Sequence, residues 1–280
     1  MPRKPLLAFA SISLAFLMGC QTNGTSTAPK TASSSTSPVA ASTAQAAPAA
    51  PKPAPAIPNP DPYWPPNGVF PGKGDVQHHA SFRNTNHQRR TLFAERRKVD
   101  QNSLVFVGDS ITQGWKTLEQ DFATLGIKIA NRGISGDTTP NLLYRLQDDV
   151  LSLHPRGLVI LIGTNDLNAD TTPTDVAENL RAAYAMIRQS YPDIPIALCY
   201  VMPRGAEKGF PEKVHHLNGL LDGIAHDDAH TTICDTYTIY VQEDGTSLPE
   251  VFHDRLHPNA AGYVKWQSAL LPILSSWNLR

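Results

Sequence analysis

From residue 103 to residue 280 the sequence predicts an α/β fold, a parallel sheet covered by helices on both faces. Three observations predict it. Short apolar runs alternate with segments of helical period. The run GLVILIG at 157–163 is continuously apolar, as a strand buried on both faces should be. Most of the runs end in glycine beside a polar residue, where the backbone can turn tightly and approach a ligand.

The elements follow in order. SLVFVG at 103–108 is a first strand, the polar stretch WKTLEQDFATLG follows at 115–126, and IKIANRG at 127–133 is a second strand. TPNLLYRLQDDVLSLH at 139–154 places Leu142, Leu143, Leu146, Val150 and Leu153 at helical spacing. After the third strand, TPTDVAENLRAAYAMIRQSY at 172–191 is a helix opened by Pro173 and Thr174 and ended before Pro192. IPIALCYVMP at 194–203 is a fourth strand, FPEKVHHLNGLLDGIAHDDA at 210–229 a helix, TTICDTY at 231–237 a fifth strand, and PNAAGYVKWQSALLPILSSW at 258–277 a closing helix. There is no internal repeat and no sign of a second domain, and residues from about 75 onward suffice for one core.

The remainder divides into three. Residues 1–20 read as an export signal: Arg3 and Lys4, then an apolar run, PLLAFASISLAFLMG, short for a membrane span. Leu17 and Gly19 around Cys20 resemble the bacterial lipobox, which implies lipidation of Cys20 rather than an ordinary secretory signal with an incidental cysteine. Gln21 resembles the sorting residue of outer-membrane lipoproteins, so the expected location is the cell envelope, anchored to the membrane by lipid. Residues 21–60 hold no aromatic side chain and are rich in Ala, Pro, Ser and Thr, a composition that predicts a disordered tether. Residues 61–102 comprise a Pro/Gly-rich strap, DPYWPPNGVFPGKG, and a basic helix from His79. The arginines of that helix admit a phosphate or lipid-headgroup patch; the reading taken is a solvated helix face. A formal net charge of −1 gives no reason to expect a nucleic-acid partner.

In such sheets ligands bind beyond the carboxyl ends of the strands. Those ends carry GDS at 108–110, NRGISGD at 131–137, GTND at 163–166 and MPRG at 202–205. A serine hydroxyl needs an adjacent base, itself oriented by a third group. FHDRLHPNAAGY at 252–263 offers Asp254 and His257, three apart and on one side of a helical turn. Ser110 is thus the candidate nucleophile and His257 the candidate base, with His253 as rival. The oxyanion formed on attack needs preorganised donors, for which the N–H groups of Ser110 and Gly136 and the amide of Asn165 are candidates.

GDSIT, NRGISGDTT, GTND and DRLHP, in that order on an α/β pattern, resemble the SGNH (GDSL-type) hydrolases, nearest to members like the catalytic subunits of platelet-activating-factor acetylhydrolase. The resemblance implies a flavodoxin-like three-layer sandwich with a five-stranded parallel sheet, and a serine carboxylic-ester hydrolase working without cofactor or metal. It also implies Ser110, His257 and Asp254 as triad and Gly136 and Asn165 as oxyanion donors. Asp109, Trp115 and Arg204 are candidate pocket residues; Asp109, like Asp137 and Asp166, reads rather as a turn-stabilising carboxylate, Trp115 reads equally as a packing residue, and Arg204 reads rather as a solvated loop arginine. The short strand-end loops lack a long apolar lid, so a small acyl group, acetyl above all, is expected, on a substrate such as an O-acetylated glycan. The alternatives are a lysophospholipase or thioesterase with the same triad, acyl transfer to another alcohol, and a non-catalytic glycan-binding surface lipoprotein. The pairs His78–His79 and His215–His216 lack the companions of a zinc site. Cys199 and Cys234 read as buried free thiols.

Overall fold

The computed structural model describes residues 60–205 and 209–279; the signal, Cys20 and the tether up to residue 59 lie outside them. Five strands form one sheet: β1 (Leu104–Gly108), β2 (Ile129–Gly133), β3 (Gly157–Leu161), β4 (Ile196–Cys199) and β5 (Thr231–Cys234). Every pairing is parallel and the order is β2-β1-β3-β4-β5. The chain therefore leaves β1 to build one edge, then returns past it to β3. The crevice above β1 and β3 is the point where the order reverses.

Successive strand residues point to opposite faces, and the two cores follow that alternation. Val105, Val107, Leu158, Ile160 and Leu198 pack against α4 (Thr139–Asp149), α6 (Pro173–Ser190) and α7 (Phe210–His226). Leu104, Phe106, Val159, Leu161 and Cys199 pack against α8 (Ala260–Ser276) and the segment after β1. The result is three layers. The leading helix α1 (Ala80–Arg96) adds a smaller cluster of Trp64, Val76, Phe82, Phe93 and Ile134, which seats the strap on the domain.

Three expectations change. The stretch after the first strand is not simply polar connection: α2 (Ser110–Gly114), α3 (Leu118–Asp121) and a 3-10 turn occupy it, and α5 (Thr164–Asn168) follows β3 in the same way. Strands four and five are shorter than their apolar runs, with Val201 and Met202 buried beyond the end of β4. The solvated-face reading of α1 is corrected. Arg90 is 2% exposed, with Nε on Asp149 Oδ2 at 2.8 Å and its guanidinium over the Tyr63 and Tyr144 rings. An apolar period cannot reveal a helix face that is buried through ion pairs.

Candidate active site

The site starts with how β1 ends. Asp109 caps α2, one carboxylate oxygen accepting from the Ile111 N–H at 2.9 Å, so Ser110 opens a short helix directly off the strand. This turn packs on the end of β2, where Gly133 is required: a Cβ there would stand 2.3 Å from the Gln113 nitrogen and 2.8 Å from the Asp109 carbonyl.

The second arm comes from the loop before α8. Asp254 and His257 share no helical turn. Instead Asp254 Oδ1 accepts from the N–H groups of Leu256 at 3.1 Å and His257 at 2.8 Å, with Arg255 between at φ +66°. The loop is held at its base, His253 N–H on the His257 carbonyl at 2.8 Å and Asn259 N–H on the Val251 carbonyl at 3.0 Å. Asn259 then caps α8. The turn leaves Asp254 Oδ2 2.8 Å from His257 Nδ1 and His257 Nε2 2.9 Å from Ser110 Oγ. His257, not His253, is the imidazole facing the serine. Burial pushes the Asp254 carboxyl up, but the hydrogen bonds from the His257 ring and from the His257 and Leu256 N–H groups prevail and hold it at about 2. It is therefore a fixed anion beside the ring nitrogen that must keep its proton.

Asn165 is tied to the loop that carries Gly136. The Asn165 amide donates to the Asp137 carbonyl at 2.9 Å, which leaves its second hydrogen for another acceptor. Gly136 itself sits at φ +84°, a conformation that favours glycine. A Cβ at Gly136 would also stand 2.9 Å from the Phe82 ring, so the strap and α1 back this loop.

Sequence reasoning overlooked the frame beneath. Arg145 is fully buried, forks onto Asp137 Oδ2 through Nε at 2.9 Å and Nη2 at 2.7 Å, and reaches the Gly108 carbonyl at 3.2 Å. One guanidinium thus ties the nucleophile's strand to the Gly136 loop. Asp166 accepts from Thr139 N–H and hydroxyl, and Asn179 bridges Thr139 to Lys73 of the strap. Gln113, one turn after Ser110, accepts the Ser135 N–H at 2.6 Å. A signal for the frame was available: Asn141, Arg145 and Asp149 recur every four residues along α4, with Asp137 four residues before them in the loop that leads into it.

The pocket candidates fare differently. Asp109 is 1% exposed; burial, opposed by the Ile111 N–H and reinforced by Asp137 and Asp166, lifts it to about 7. Of the two readings of Trp115, the packing residue is the one the structure shows. It is 2% exposed, rests against Phe106, Phe122, Tyr263 and Trp266, and donates Nε1 to Asp121 at 2.6 Å. Arg204 lies at the crevice rim, stacked 4.6 Å from the Phe210 ring centroid with Nη1 on Asn168 at 3.2 Å. His78 packs edge-on to Trp64 and Phe70, and His79 caps α1. Cys199 and Cys234 are register partners across β4 and β5, buried and with no disulfide between them. A pocket of about 490 Å³ beside Pro155, Pro195 and Trp277 opens at the amino ends of the strands, away from this chemistry.

A serine, an imidazole and a carboxylate in series at the switch point of a doubly wound sheet define the class of α/β serine hydrolases. Residues 106–265 match the GDSL-like lipase/acylhydrolase family, and the chain belongs to it; it is an ester-bond hydrolase. Among its relatives is the human platelet-activating factor acetylhydrolase IB subunit alpha2, 31% identical over 188 residues, spanning 64% of this chain and 77% of that protein. A GDSL-like lipase from Bacteroides thetaiotaomicron superposes with TM-score 0.60 at 25% identity, over 66% of this chain and 97% of that one. An acetylxylan esterase from Geobacillus stearothermophilus shares the fold at TM-score 0.53 and 22% identity, over 62% and 94% of the two chains.

Proposed function

We propose that the chain hydrolyses short-chain acyl esters, acetyl foremost, with O-acetylated glycans as the substrate class. The unbroken series Ser110–His257–Asp254 carries this reading. His257 Nε2 takes the Ser110 proton as Oγ bonds to the acyl carbon, and the carbonyl oxygen becomes an oxyanion. The N–H groups of Ser110 and Gly136 and the free hydrogen of Asn165 are its donors in this reading. Collapse breaks the ester C–O bond, His257 passes its proton to the departing alcohol, and acyl-Ser110 remains. Water then attacks, giving one proton to His257, and collapse releases the acid and returns the proton to Ser110 Oγ. The charge on Asp254 stabilises the imidazolium in both halves.

Acetyl specificity is supported by the acetylhydrolase relative and by strand-end loops backed closely by Phe82 and Gln77. The lipobox-like run around Cys20 and the Ala/Pro/Ser/Thr-rich composition of residues 21–60 support an envelope location for the enzyme in this proposal, with glycans rather than nucleic acid as its surroundings. The test is turnover of the purified chain on an aryl-ester series from acetyl to octanoyl, together with acetylated xylan, lysophospholipid and acyl-thioester, with Ser110→Ala as control. Rates falling steadily beyond acetyl, and acetate release from the glycan, are expected. Rates that climb toward octanoyl would point instead to a lysophospholipase or thioesterase. Absence of a Ser110 adduct with a fluorophosphonate would favour a glycan-binding protein without catalysis.

A further inference from the structure

Beside the catalytic crevice, between α1 and the α2–α3 segment, lies a second pocket of about 380 Å³ whose charge is unbalanced. Four cations line it: Arg89, Arg96, Lys116 and Arg132. Three carboxylates answer them, and one of these, Asp149, acts on Arg132 while pairing directly with Arg90. Asp100 is shared, bonding Arg96 Nη2 at 2.9 Å and Arg132 Nη1 at 2.9 Å, and Glu119 stands 3.5 Å from Arg96. Arg89 pairs with no carboxylate among the described residues. Its Nε and Nη2 go to neutral acceptors, the Gly133 carbonyl at 3.0 Å and Asn131 at 3.4 Å. Lys116 likewise has no ion-pair partner among them.

The guanidiniums are also crowded. Arg89 and Arg132 each lie over the Phe93 ring, 4.8 and 4.7 Å from its centroid. Arg132 is 1% exposed and its Nη2 is buried without a hydrogen-bond acceptor. Burial first, then the neighbouring Arg145 and Arg132, draw Arg89 down to about 10. Carbonyl acceptors satisfy its N–H groups without cancelling its charge. A cluster of this kind is completed by an anion, which supplies acceptors in the fork geometry a guanidinium prefers and removes the repulsion.

We propose that this pocket binds a small oxyanionic group, of the phosphate and carboxylate class, held by Arg89, Arg132 and Lys116. The site is separate from the ester chemistry: Gln113, on the wall between the two, turns its Oε1 toward Ser135 instead. It also gives a use to the basic helix that the hydrolase reading leaves unexplained.

The experiment is isothermal titration of the full chain with inorganic phosphate and, separately, glucuronate, at an ionic strength fixed with chloride. Saturable heat with one-site stoichiometry is expected for at least one of them. Phosphate alone identifies a phosphoryl group as the ligand, and binding of both identifies the wider class that includes acidic sugars. Two variants on the exposed rim leave the core intact: Lys116→Gln and Gln120→Glu should each weaken binding about fivefold, with aryl-acetate turnover and melting temperature in chloride unchanged. Heats no different from a chloride blank for both anions would overturn the proposal, and so would affinities that survive both substitutions together. Neither result depends on whether Ser110→Ala abolishes hydrolysis.

Discussion

Two aspartates of this site obey opposite rules. Asp254 is more than half exposed, lies in a turn and is held at about 2 by the groups that donate to it. Asp109, one residue before the nucleophile, is sealed from water and lifted to about 7. The exposed arm does its work through hydrogen-bond geometry at the surface, and little of the fold rests on it. The buried frame of Asp109, Asp137, Arg145 and Asp166 takes no direct part in bond making, yet the crevice depends on it. One class of substitution should therefore remove activity without loss of fold, and the other should remove fold first.

The largest effects belong to the exposed arm. Ser110→Ala should lower kcat by about 10⁶-fold, and Asp254→Asn by about 10⁴-fold, through loss of the imidazole's orientation and of the charge beside it. Thermal midpoints should hardly move, since the Asp254–His257 pair sits at the surface. A fall in midpoint as large as that of a core variant would erase the distinction between the two regions.

Arg145→Met should invert this pattern. It leaves Asp137 buried with its guanidinium partner gone, at a cost of about 3–5 kcal/mol in stability measured by urea unfolding. Asp137→Asn combined with Arg145→Met should recover part of that loss, because no unpaired charge then remains. If the double variant is no more stable than Arg145→Met, the ion pair is not what holds the Gly136 loop to β1.

The sequence showed the exposed half of the site better than the buried half, for physical reasons. Ser110, Gly136, Asn165 and His257 stand at strand ends or before a helix, where polar residues interrupt apolar runs and local spacing restricts what they can do. Strands β1, β3 and β4 were visible because burial on both faces makes them continuously apolar, while the edge strands β2, IANRG, and β5, TTIC, were legible from their alternation with the helices. Arg90 was not, since its partner lies across the fold, Asp149 being 59 residues away, whereas Arg145 meets Asp137 only eight residues before it and was overlooked although the spacing was there to read. Trp115 shows the converse limit. Its nearness to Ser110 in sequence suggested the pocket, but α2 ends at Gly114 and the chain turns the indole inward toward α8.

A pH series separates the two aspartates without removing either. Asp109 and Asp166, raised by burial to about 7 and about 6, bind a proton in the fold that the unfolded chain releases near 3.8. Their contribution is complete below that unfolded value and is lost as pH rises through 6 and 7. Asp254 has the opposite sign, contributing above 3.8 and losing its contribution only as pH falls toward 2. Between pH 5 and 8 the buried carboxylates govern, Asp137 and Asp149 being raised by burial as well, so urea stability should decline with rising pH. Asp109→Asn, which keeps a capping side chain, should flatten that slope while activity stays within an order of magnitude. A slope equal to that of the unsubstituted chain would mean that Asp109 carries its charge throughout.

The smallest expected effect lies where the two regions meet. Gln113 is neither exposed arm nor buried frame: its side chain accepts the Ser135 N–H, one residue before the candidate oxyanion donor Gly136. Removing one such bond costs about 0.5–1.5 kcal/mol, or roughly up to tenfold in rate if the loop is needed only in the transition state. Gln113→Ala should therefore lower kcat with KM nearly constant, and Gln113→Glu, which retains an acceptor, should restore most of it. A rise in KM with kcat intact would assign Gln113 to substrate contact, and the frame would then end at Arg145.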